Sequence, residues 1–224
     1  MRNVYVICEG QTEANFVKKV LVPVFYSRIN LIPRIVETSF DRRLGRSHKG
    51  GMVSYAQAYK TIKITLNDAL KKQSSIVTTM FDFYALPTDM PGYNSLSVMS
   101  TPYQKVSAVE TAMLNAVPSP CQALYHPYIQ LHEFEALVFC NLSGLQQKYF
   151  NCNIAPLQQC LQLQKNPELI NGGSTTAPSK RILSCVPSYD KVDVGVSVVG
   201  EVGLTVLCAQ CPHFNDWIAF LNTL

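Results

Sequence analysis

The sequence predicts an α/β protein with a mainly parallel sheet flanked by helices and a helical carboxyl-terminal third. Over residues 1–140, short β-branched or apolar runs alternate with stretches of helical periodicity, an order typical of a parallel sheet. From residue 141 to residue 224 only short helical patterns remain. With 47% hydrophobic and 15% charged residues, the 224-residue chain is expected to fold as one compact unit, the helical extension packed on the α/β core.

The chain opens with a strand, a tight turn and a helix. Val4–Cys8 is a short apolar run, and Gly10 permits a turn before the apolar spacing becomes helical from Thr12. Pro23 is expected to end or kink that helix, because proline removes a backbone hydrogen bond. Leu31–Thr38 then predicts a second strand.

The middle of the chain continues this alternation. Arg42–Gly51 is polar and contains glycine, which predicts a loop, whereas Met52–Lys72 has the apolar spacing of a helix of about five turns. Ser75–Phe83 predicts a buried strand, Tyr103–Ala116 a helix and Pro127–Leu131 a further strand. The predicted carboxyl-terminal helices are Ala155–Leu163, Pro178–Cys185, Lys191–Val202 and Phe214–Leu224.

The composition says more about the cellular compartment of the protein than about its function. The net charge of +4 is too small to identify a nucleic-acid binder unless the positive charge is clustered. No apolar run reaches the ~18 residues of a membrane-spanning helix and no signal peptide is recognisable, so we expect a cytoplasmic protein without membrane contact. The eight cysteines are scattered, which favours a reducing compartment. Cys208 and Cys211 form a CxxC pair but lack the second pair that zinc needs, and are expected to pack as small apolar residues.

Carboxylates follow two predicted strands at their carboxyl ends, where parallel sheets bind ligands. Glu9 follows the first strand, and Asp82 lies near the end of the strand that begins at Ser75. A carboxylate at the end of an apolar strand costs free energy unless it is hydrogen-bonded, paired or bound to a metal, so both are candidate functional residues. Glu13, one residue after Thr12, fits either helix capping or a metal or substrate contact. Such carboxylates suit Mg²⁺, which keeps several waters and uses substrate phosphates as its remaining ligands.

The segment after the last predicted strand supplies further candidates. If the chain remains extended there, Glu133 reaches the same edge of the sheet while Glu135 points elsewhere. If a helix begins there instead, both carboxylates lie in its first turn as favourable charges. Glu133 ranks ahead of Glu135 as a metal ligand, and His132 fits either a general base or a buried, hydrogen-bonded histidine.

Positive side chains form two groups. Arg42, Arg43 and Lys49 lie in the predicted polar loop and fit either phosphate binding or a solvated surface. Lys180 and Arg181 lie at a predicted helix start, a poor place for cations unless an anion lies with them. The sequence contains no glycine-rich Walker loop, so any nucleotide hydrolysis is expected to come from a partner.

Six motifs follow one another over nearly the whole chain. They are Cys8–Glu13 (CEGQTE), Asp82–Pro87 (DFYALP), His132–Phe139 (HEFEALVF), Pro178–Ile182 (PSKRI), Tyr189–Lys191 (YDK) and Cys211–Trp217 (CPHFNDW). In this order they resemble a family of small bacterial TOPRIM-like proteins, distantly similar to OLD-family nucleases. Members of that family are often encoded beside an AAA-type or ABC-type ATPase in defence islands.

The resemblance implies a TOPRIM-like fold and assigns roles to particular residues. In that pattern the first-strand glutamate, here Glu9, acts as general base or acid or as metal ligand. An Asp-x-Asp pair, here beginning at Asp82, holds Mg²⁺ or Mn²⁺. Tyr84 stands where the second aspartate is expected, which implies weaker binding of a divalent cation. In this assignment Glu13 or Glu133 is auxiliary.

Two functional hypotheses follow from these residues and from the resemblance. The first is Mg²⁺-assisted phosphodiester cleavage of nucleic acid by the effector partner of an ATPase, with Lys180 and Arg181 holding phosphates. The second is a non-catalytic interaction subunit that keeps the TOPRIM scaffold and binds the ATPase. Tyr84 and the low content of charged residues favour the second hypothesis.

Overall fold

The structure is a computed structural model of the chain. It describes residues 1–41, 46–49, 52, 54–72, 75–170, 173 and 175–224, and the side chains of residues 38–41 and 46–49 lie outside this description. Two compact units are observed, and the chain passes from the first to the second between residues 129 and 130. Unit 1 consists of Met1–Phe81, Ala85–Ile129 and Leu224, and unit 2 consists of Asp82–Tyr84 and Gln130–Thr223.

Strands and α-helices are numbered in chain order over the described residues. The strands are β1 (Arg2–Cys8), β2 (Ile29–Ile35), β3 (Glu37–Asp41), β4 (Arg46–Lys49), β5 (Ser75–Asp82), β6 (Tyr125–His126) and β7 (Ile129–Gln130). The helices are α1 (Gln11–Phe16), α2 (Val22–Phe25), α3 (Tyr55–Lys71), α4 (Pro102–Asn115), α5 (Ser119–Gln122), α6 (Glu135–Val138), α7 (Leu142–Lys148), α8 (Ala155–Gln164), α9 (Pro178–Cys185), α10 (Val196–Val202), α11 (Leu204–Gln210) and α12 (Pro212–Asn222).

The main sheet has the strand order β2-β1-β5-β6, and β7 also pairs with β5. Both neighbours of β1 run parallel to it, with Cys8 opposite Ile35 on β2 and opposite Met80 on β5. From Val4 to Cys8 the side chains of β1 are buried, as expected for a parallel strand covered on both faces. Helices α1 and α2 pack on β2, and α3 packs on β1. The predicted α/β class and mostly parallel sheet are confirmed.

Two predicted elements differ from the observed ones. The polar stretch from residue 42 to residue 51, predicted to be a loop, contains β4, which pairs antiparallel with β3. Main-chain hydrogen bonds hold β3 and β4 together. The polar residues of β4 lack the alternation of apolar and polar side chains from which a strand is predicted. Of the strand predicted at Pro127–Leu131, only β7 (Ile129–Gln130) is observed. β6 (Tyr125–His126) precedes the predicted range, and Pro127, which has no N–H to donate to the ladder, follows it. Beside it, the backbone N–H of Tyr128 donates instead to the Thr79 hydroxyl at 2.8 Å.

Pro23 does not end the first helical stretch at once. After α1 the chain forms a π-helical turn, Val17–Leu21, and then α2, in which Pro23 is the second residue. At that position the missing N–H costs little, because the first N–H groups of a helix have no partner within it. The helical stretch ends at Phe25, two residues after Pro23.

Unit 2 is helical from α6 to α12. Its buried side chains include Leu137 on α6 and Phe214 and Trp217 on α12, whose rings meet edge to face with centroids 5.9 Å apart. Gly203 separates α10 from α11 with a φ of 81°, a conformation that favours glycine. Across the described residues no single helix is long and apolar enough to cross a membrane; only a bent pair, Lys191–Val202 with Leu204–Gln210 at 89°, passes on length and composition.

Candidate functional site

Glu9 lies at the carboxyl end of β1, in unit 1. Its backbone N–H donates to the Met80 carbonyl at 3.3 Å, which continues the pairing of β1 with β5 beyond the last strand residue. Its Oε1 accepts the backbone N–H of Met52 at 3.4 Å, a long hydrogen bond, and the residue is half-buried. The structure thus places a partly buried carboxylate at the carboxyl edge of the parallel sheet.

Glu13 caps the helix in which it lies. Its Oε2 accepts the backbone N–H of Gly10 at 2.7 Å, and the side chain is buried. This is the reciprocal contact of a capping box, and it satisfies a backbone donor that the helix leaves unpaired. Burial and the neighbouring charge of Glu13 raise the pKa of the Cys8 thiol. Of the two roles that the sequence left open for Glu13, the geometry supports capping.

A cavity of about 440 Å³ opens in unit 1 at the end of β2. Its wall is formed by residues of α1, of the π-helical turn after it, of α3 and of the chain from Pro33 to Glu37. Two cations, Lys18 and Arg34, and one carboxylate, Glu37, lie in this wall. The volume falls within the range of small-molecule sites, and the wall combines charged and apolar side chains. We call this the β2 cavity.

Arg34 is held in place by three contacts. Its guanidinium lies 4.3 Å from the centroid of the Tyr5 ring on β1, a cation–π geometry. Its Nη1 donates to the Thr65 hydroxyl at 3.0 Å and lies 3.7 Å from Oδ2 of Asp68. The sequence analysis did not single out Arg34, although an arginine inside an otherwise apolar strand was a signal for it.

Asp82 is the last residue of β5 and belongs to unit 2. Its Oδ1 accepts the backbone N–H of Phe134 at 3.0 Å, immediately before α6. Tyr84, at the position of the missing second aspartate, donates its backbone N–H to the His132 carbonyl at 2.6 Å. Asp82 therefore helps to hold the turn that leads into α6.

His132 adopts a strained backbone conformation inside unit 2. Its φ is 63°, which is uncommon for a residue other than glycine, and the side chain is only 5% exposed. Its ring meets that of Phe83 edge to face with centroids 6.5 Å apart. Burial lowers the pKa of His132 from 6.5 to about 4, so the imidazole is neutral at pH 7. Of the two roles considered for His132, the structure supports the buried histidine.

Glu133 caps α9. Its Oε2 accepts the backbone N–H of Ser179 at 2.8 Å, and its Oε1 accepts the Ser179 hydroxyl at 3.0 Å. Ala177, the residue at the N-cap of α9, has no side-chain acceptor, so the carboxylate supplies one from 46 residues earlier in the chain. A negative charge at this end of the helix is also favoured by the helix dipole.

Lys180 and Arg181 lie in the first turn of α9, the helix that the Glu133 carboxylate caps. Lys180 is exposed, and Arg181 is half-buried with its Nε donating to a backbone carbonyl at 2.7 Å. The sequence analysis required an anion at this helix start, and the Glu133 carboxylate of the chain itself lies there. Phosphate binding by Lys180 and Arg181 stays a prediction.

The other predicted phosphate-binding residues fall at the edge of the described part of the chain. Arg42 and Arg43 lie outside the described residues. Lys49 is the last residue of β4, and its side chain lies outside the description. Their predicted role therefore stays a prediction.

Glu135 begins α6 and is buried close to a tyrosine and a lysine. Its Oε1 lies 3.9 Å from Nζ of Lys191. Burial, followed by the charge of Glu135, raises the pKa of Tyr189. Gly195 lies directly against the Tyr189 hydroxyl, where a larger residue would collide with the ring. The second alternative of the sequence analysis placed both Glu133 and Glu135 in the first turn of a helix. A helix is observed here, but it starts at Glu135, and Glu133 precedes it.

Two further helices are capped by carboxylates that are distant in sequence. Asp89 accepts the backbone N–H groups of the first two residues of α3 at 2.8 and 3.0 Å, and these bonds lower its pKa. In unit 2, the buried Glu168 accepts the N–H groups of His213 and Phe214 on α12 at 3.0 and 2.9 Å. Sequence reasoning missed both caps. No local signal indicates them, because each carboxylate lies more than 30 residues from the helix start that it caps.

The predicted metal ligands lie in different units. Glu9 belongs to unit 1, and Asp82 and Glu133 belong to unit 2. Within the part of the chain that the structure describes, no group of three or more His, Cys, Asp or Glu side chains is arranged to hold a metal ion. All three carboxylates accept a backbone N–H, which satisfies part of their hydrogen-bonding capacity. The Mg²⁺ site stays a prediction.

Comparison with known proteins yields one match. The model of a protein family described as a domain of unknown function, DUF4276, matches residues 8–222. No curated protein and no solved structure matches the chain. The matched range includes every carboxylate and cation discussed above.

Proposed function

Since the chain belongs to the DUF4276 family, whose description states no activity, we propose its function from the site: a TOPRIM-like, Mg²⁺-dependent phosphodiesterase that cleaves nucleic acid. The observation that carries this proposal lies in unit 1. There the half-buried Glu9 directly follows β1, and the neighbouring strand β2 ends at a cavity with Lys18 and Arg34 in its wall. A carboxylate and cations at adjacent carboxyl ends of a parallel sheet are the groups that metal-assisted phosphoryl chemistry uses.

Each residue has a distinct role in this proposal. Glu9 ligates the metal or accepts a proton from the attacking water, and Asp82 is the further carboxylate that the sequence resemblance assigns to the metal. Arg34 and Lys18 bind phosphate oxygens of the nucleic-acid backbone. Arg34 is suited to this because its stacking on Tyr5 orients the guanidinium before substrate arrives. A bound Mg²⁺ supplies charge neutralisation and a water of lowered pKa.

The proposal includes an ATPase as partner and a cytoplasmic setting. The sequence contains no glycine-rich Walker loop, so any coupling to ATP hydrolysis comes from a second protein. An AAA-type or ABC-type ATPase is the partner that the sequence resemblance implies. In this view the chain is the effector half of a bacterial defence system.

A second candidate function is a non-catalytic interaction subunit of such an ATPase. The observation that favours it is the use of the predicted site carboxylates as caps. Glu13, Asp82 and Glu133 each accept a backbone N–H, and Tyr84 stands in place of the second aspartate. If these carboxylates serve to hold the backbone, the protein keeps the fold without using them to bind a metal or to cleave a phosphodiester.

Titration with Mn²⁺ by calorimetry on the full chain separates the two functions, because it requires neither the substrate nor the partner. The variants are Glu9→Gln and Asp82→Asn. The matched control is Glu201→Gln, since Glu201 is an exposed carboxylate on α10 with its own partner, Lys148, at 2.7 Å. The proposal predicts saturable binding in the wild type and the control, and loss of binding in both site variants without a fall in melting temperature.

The second arm is cleavage of single- and double-stranded DNA and of RNA in the presence of Mg²⁺. Loss of a general base or metal ligand is expected to lower cleavage about 100-fold or more in Glu9→Gln. Absence of Mn²⁺ binding at millimolar concentration, together with absence of cleavage, would contradict the phosphodiesterase proposal and favour the interaction subunit.

A further inference from the structure

Two thiols of unit 2 lie in contact although they are 71 residues apart in sequence. The Sγ atoms of Cys140 and Cys211 are 3.5 Å apart, and both cysteines are free. Cys140 lies in the 3-10 turn Phe139–Asn141, which connects α6 to α7. Cys211 is the single residue between α11 and α12. The sequence analysis expected Cys211 to pack, and it is fully buried.

The backbone on both sides of this contact is held by hydrogen bonds. Cys211 donates its N–H to the Leu207 carbonyl at 2.9 Å, and its own carbonyl accepts the N–H of Asn215 at 2.8 Å. Next to Cys140, the Asn141 side chain caps α7 and donates to the Val198 carbonyl at 2.9 Å. A disulfide bond of ~2.05 Å requires the sulfur atoms to approach by about 1.5 Å, which small side-chain rotations provide.

The two thiols differ in their access to solvent. Cys140 is half-buried, whereas Cys211 has no exposed surface. The contact with Cys140, burial and the nearby Glu168 raise the pKa of Cys211, so its attack requires transfer of the thiol proton to the departing oxygen in the same step. A small oxidant therefore meets Cys140 first, and Cys211 lies behind it in position to attack.

We propose that Cys140 and Cys211 are a reversible oxidation site that forms an intramolecular disulfide with a hydroperoxide as oxidant. In the first step the Cys140 sulfur attacks the peroxide, the O–O bond breaks, and a sulfenic acid and one water (or alcohol) are formed. In the second step the Cys211 sulfur attacks the Cys140 sulfur, the S–O bond breaks, and the sulfenic oxygen leaves as water with the thiol proton. The two thiols together lose two electrons, and the peroxide gains them.

The disulfide joins the turn after α6 to the junction of α11 and α12. That junction precedes the buried Phe214 and Trp217, so oxidation crosslinks the core of unit 2. A reversible disulfide also suits a reducing compartment, where such bonds are transient and act as sensors. The inference uses none of the residues proposed for phosphodiester cleavage and goes beyond that proposal.

The test treats the folded, reduced full chain with stoichiometric hydrogen peroxide, blocks the remaining thiols with an alkylating agent, and maps crosslinked peptides by mass spectrometry. The expected result is the loss of two hydrogen masses, a peptide joining Cys140 to Cys211, and recovery of both thiols with dithiothreitol. Because this result is read from the wild-type protein, it does not depend on whether a variant folds.

Two variants test whether the crosslink requires the Cys140 thiol. Cys140→Ser should abolish the crosslink. Cys160→Ser, which changes a half-exposed thiol on α8, is the matched control and should leave the crosslink unchanged. A disulfide between Cys208 and Cys211, further oxidation of Cys140 to a sulfinic acid without a crosslink, or no loss of mass would each overturn the proposal.

Discussion

The variant Glu133→Gln would distinguish two roles of the Glu133 carboxylate, a cap of α9 and a metal ligand. In the structure both oxygens of Glu133 accept hydrogen bonds from Ser179, at 2.8 and 3.0 Å, and the side chain is 8% exposed. Glu133→Gln keeps one acceptor but removes the charge and turns an amide NH₂ toward the second donor. The loss of one hydrogen bond to a charged group costs about 1.5–3 kcal/mol, and the loss of the charge at the helix end about 0.3–1 kcal/mol.

The free energy of unfolding should therefore fall by about 2–4 kcal/mol, which corresponds to roughly 5–15 °C in melting temperature for a chain of this size. Urea and thermal unfolding, followed by circular dichroism in buffer with EDTA, measure this change without any metal. Ser179→Ala removes only the hydroxyl donor and should cost less than Glu133→Gln. In the double variant the two losses should not add, because both changes disrupt the same contact.

The matched control for Glu133→Gln is Glu201→Gln in the same unit. Glu201 is exposed and pairs with Lys148 at the surface, so its loss should change the free energy of unfolding by no more than about 0.5 kcal/mol. If Glu133→Gln unfolds like the wild type and the control, the cap contributes nothing. The Glu133 carboxylate would then be available for a metal or a substrate, as the sequence analysis expected.

Two further predictions concern buried groups of unit 2. Burial holds the pKa of His132 at about 4 instead of 6.5. Between these pH values the unfolded chain therefore binds the proton more readily than the folded protein does. The free energy of unfolding, which His132 does not reduce above pH 6.5, should fall by on the order of 2–3 kcal/mol as the pH decreases toward 4. His132→Asn, a residue that tolerates the observed φ, should flatten this slope in urea unfolding across that pH range, and parallel slopes would contradict the reasoning. Glu168→Gln leaves one of two buried N–H donors at the start of α12 without an acceptor and should cost about 2–4 kcal/mol. Hydrogen exchange at His213 and Phe214 should accelerate accordingly, and unchanged exchange would show that this cap is not needed.

Local signals predicted the order of the elements well. Apolar periodicity located the first strand, the long helix at residues 55–71 and the buried strand that ends at Asp82. The predicted start and end of α9, Pro178 and Cys185, agree with the structure. The errors lie where backbone geometry outweighs side-chain pattern: the polar strand β4, and the interruption between β6 and β7 at Pro127.

The same limit applies to the candidate site. The sequence placed Glu9 and Asp82 at strand ends, because strand ends follow from local pattern. It left two roles open for Glu13, since one residue type serves both as a cap and as a ligand. Arg34 was missed because its stacking on Tyr5 joins two strands that are about 30 positions apart in the chain.

By itself, the sequence determined the α/β class, the alternation of its early strands and helices and the helical character of the last third, since these depend on residues that are near one another in the chain. Only the tertiary structure decided how the carboxylates are used. Glu133 meets Ser179, and Glu168 meets the start of α12, across about 45 residues. Cys140 meets Cys211 across 71 residues. Contacts at such separations depend on how helices pack, and no local periodicity encodes them.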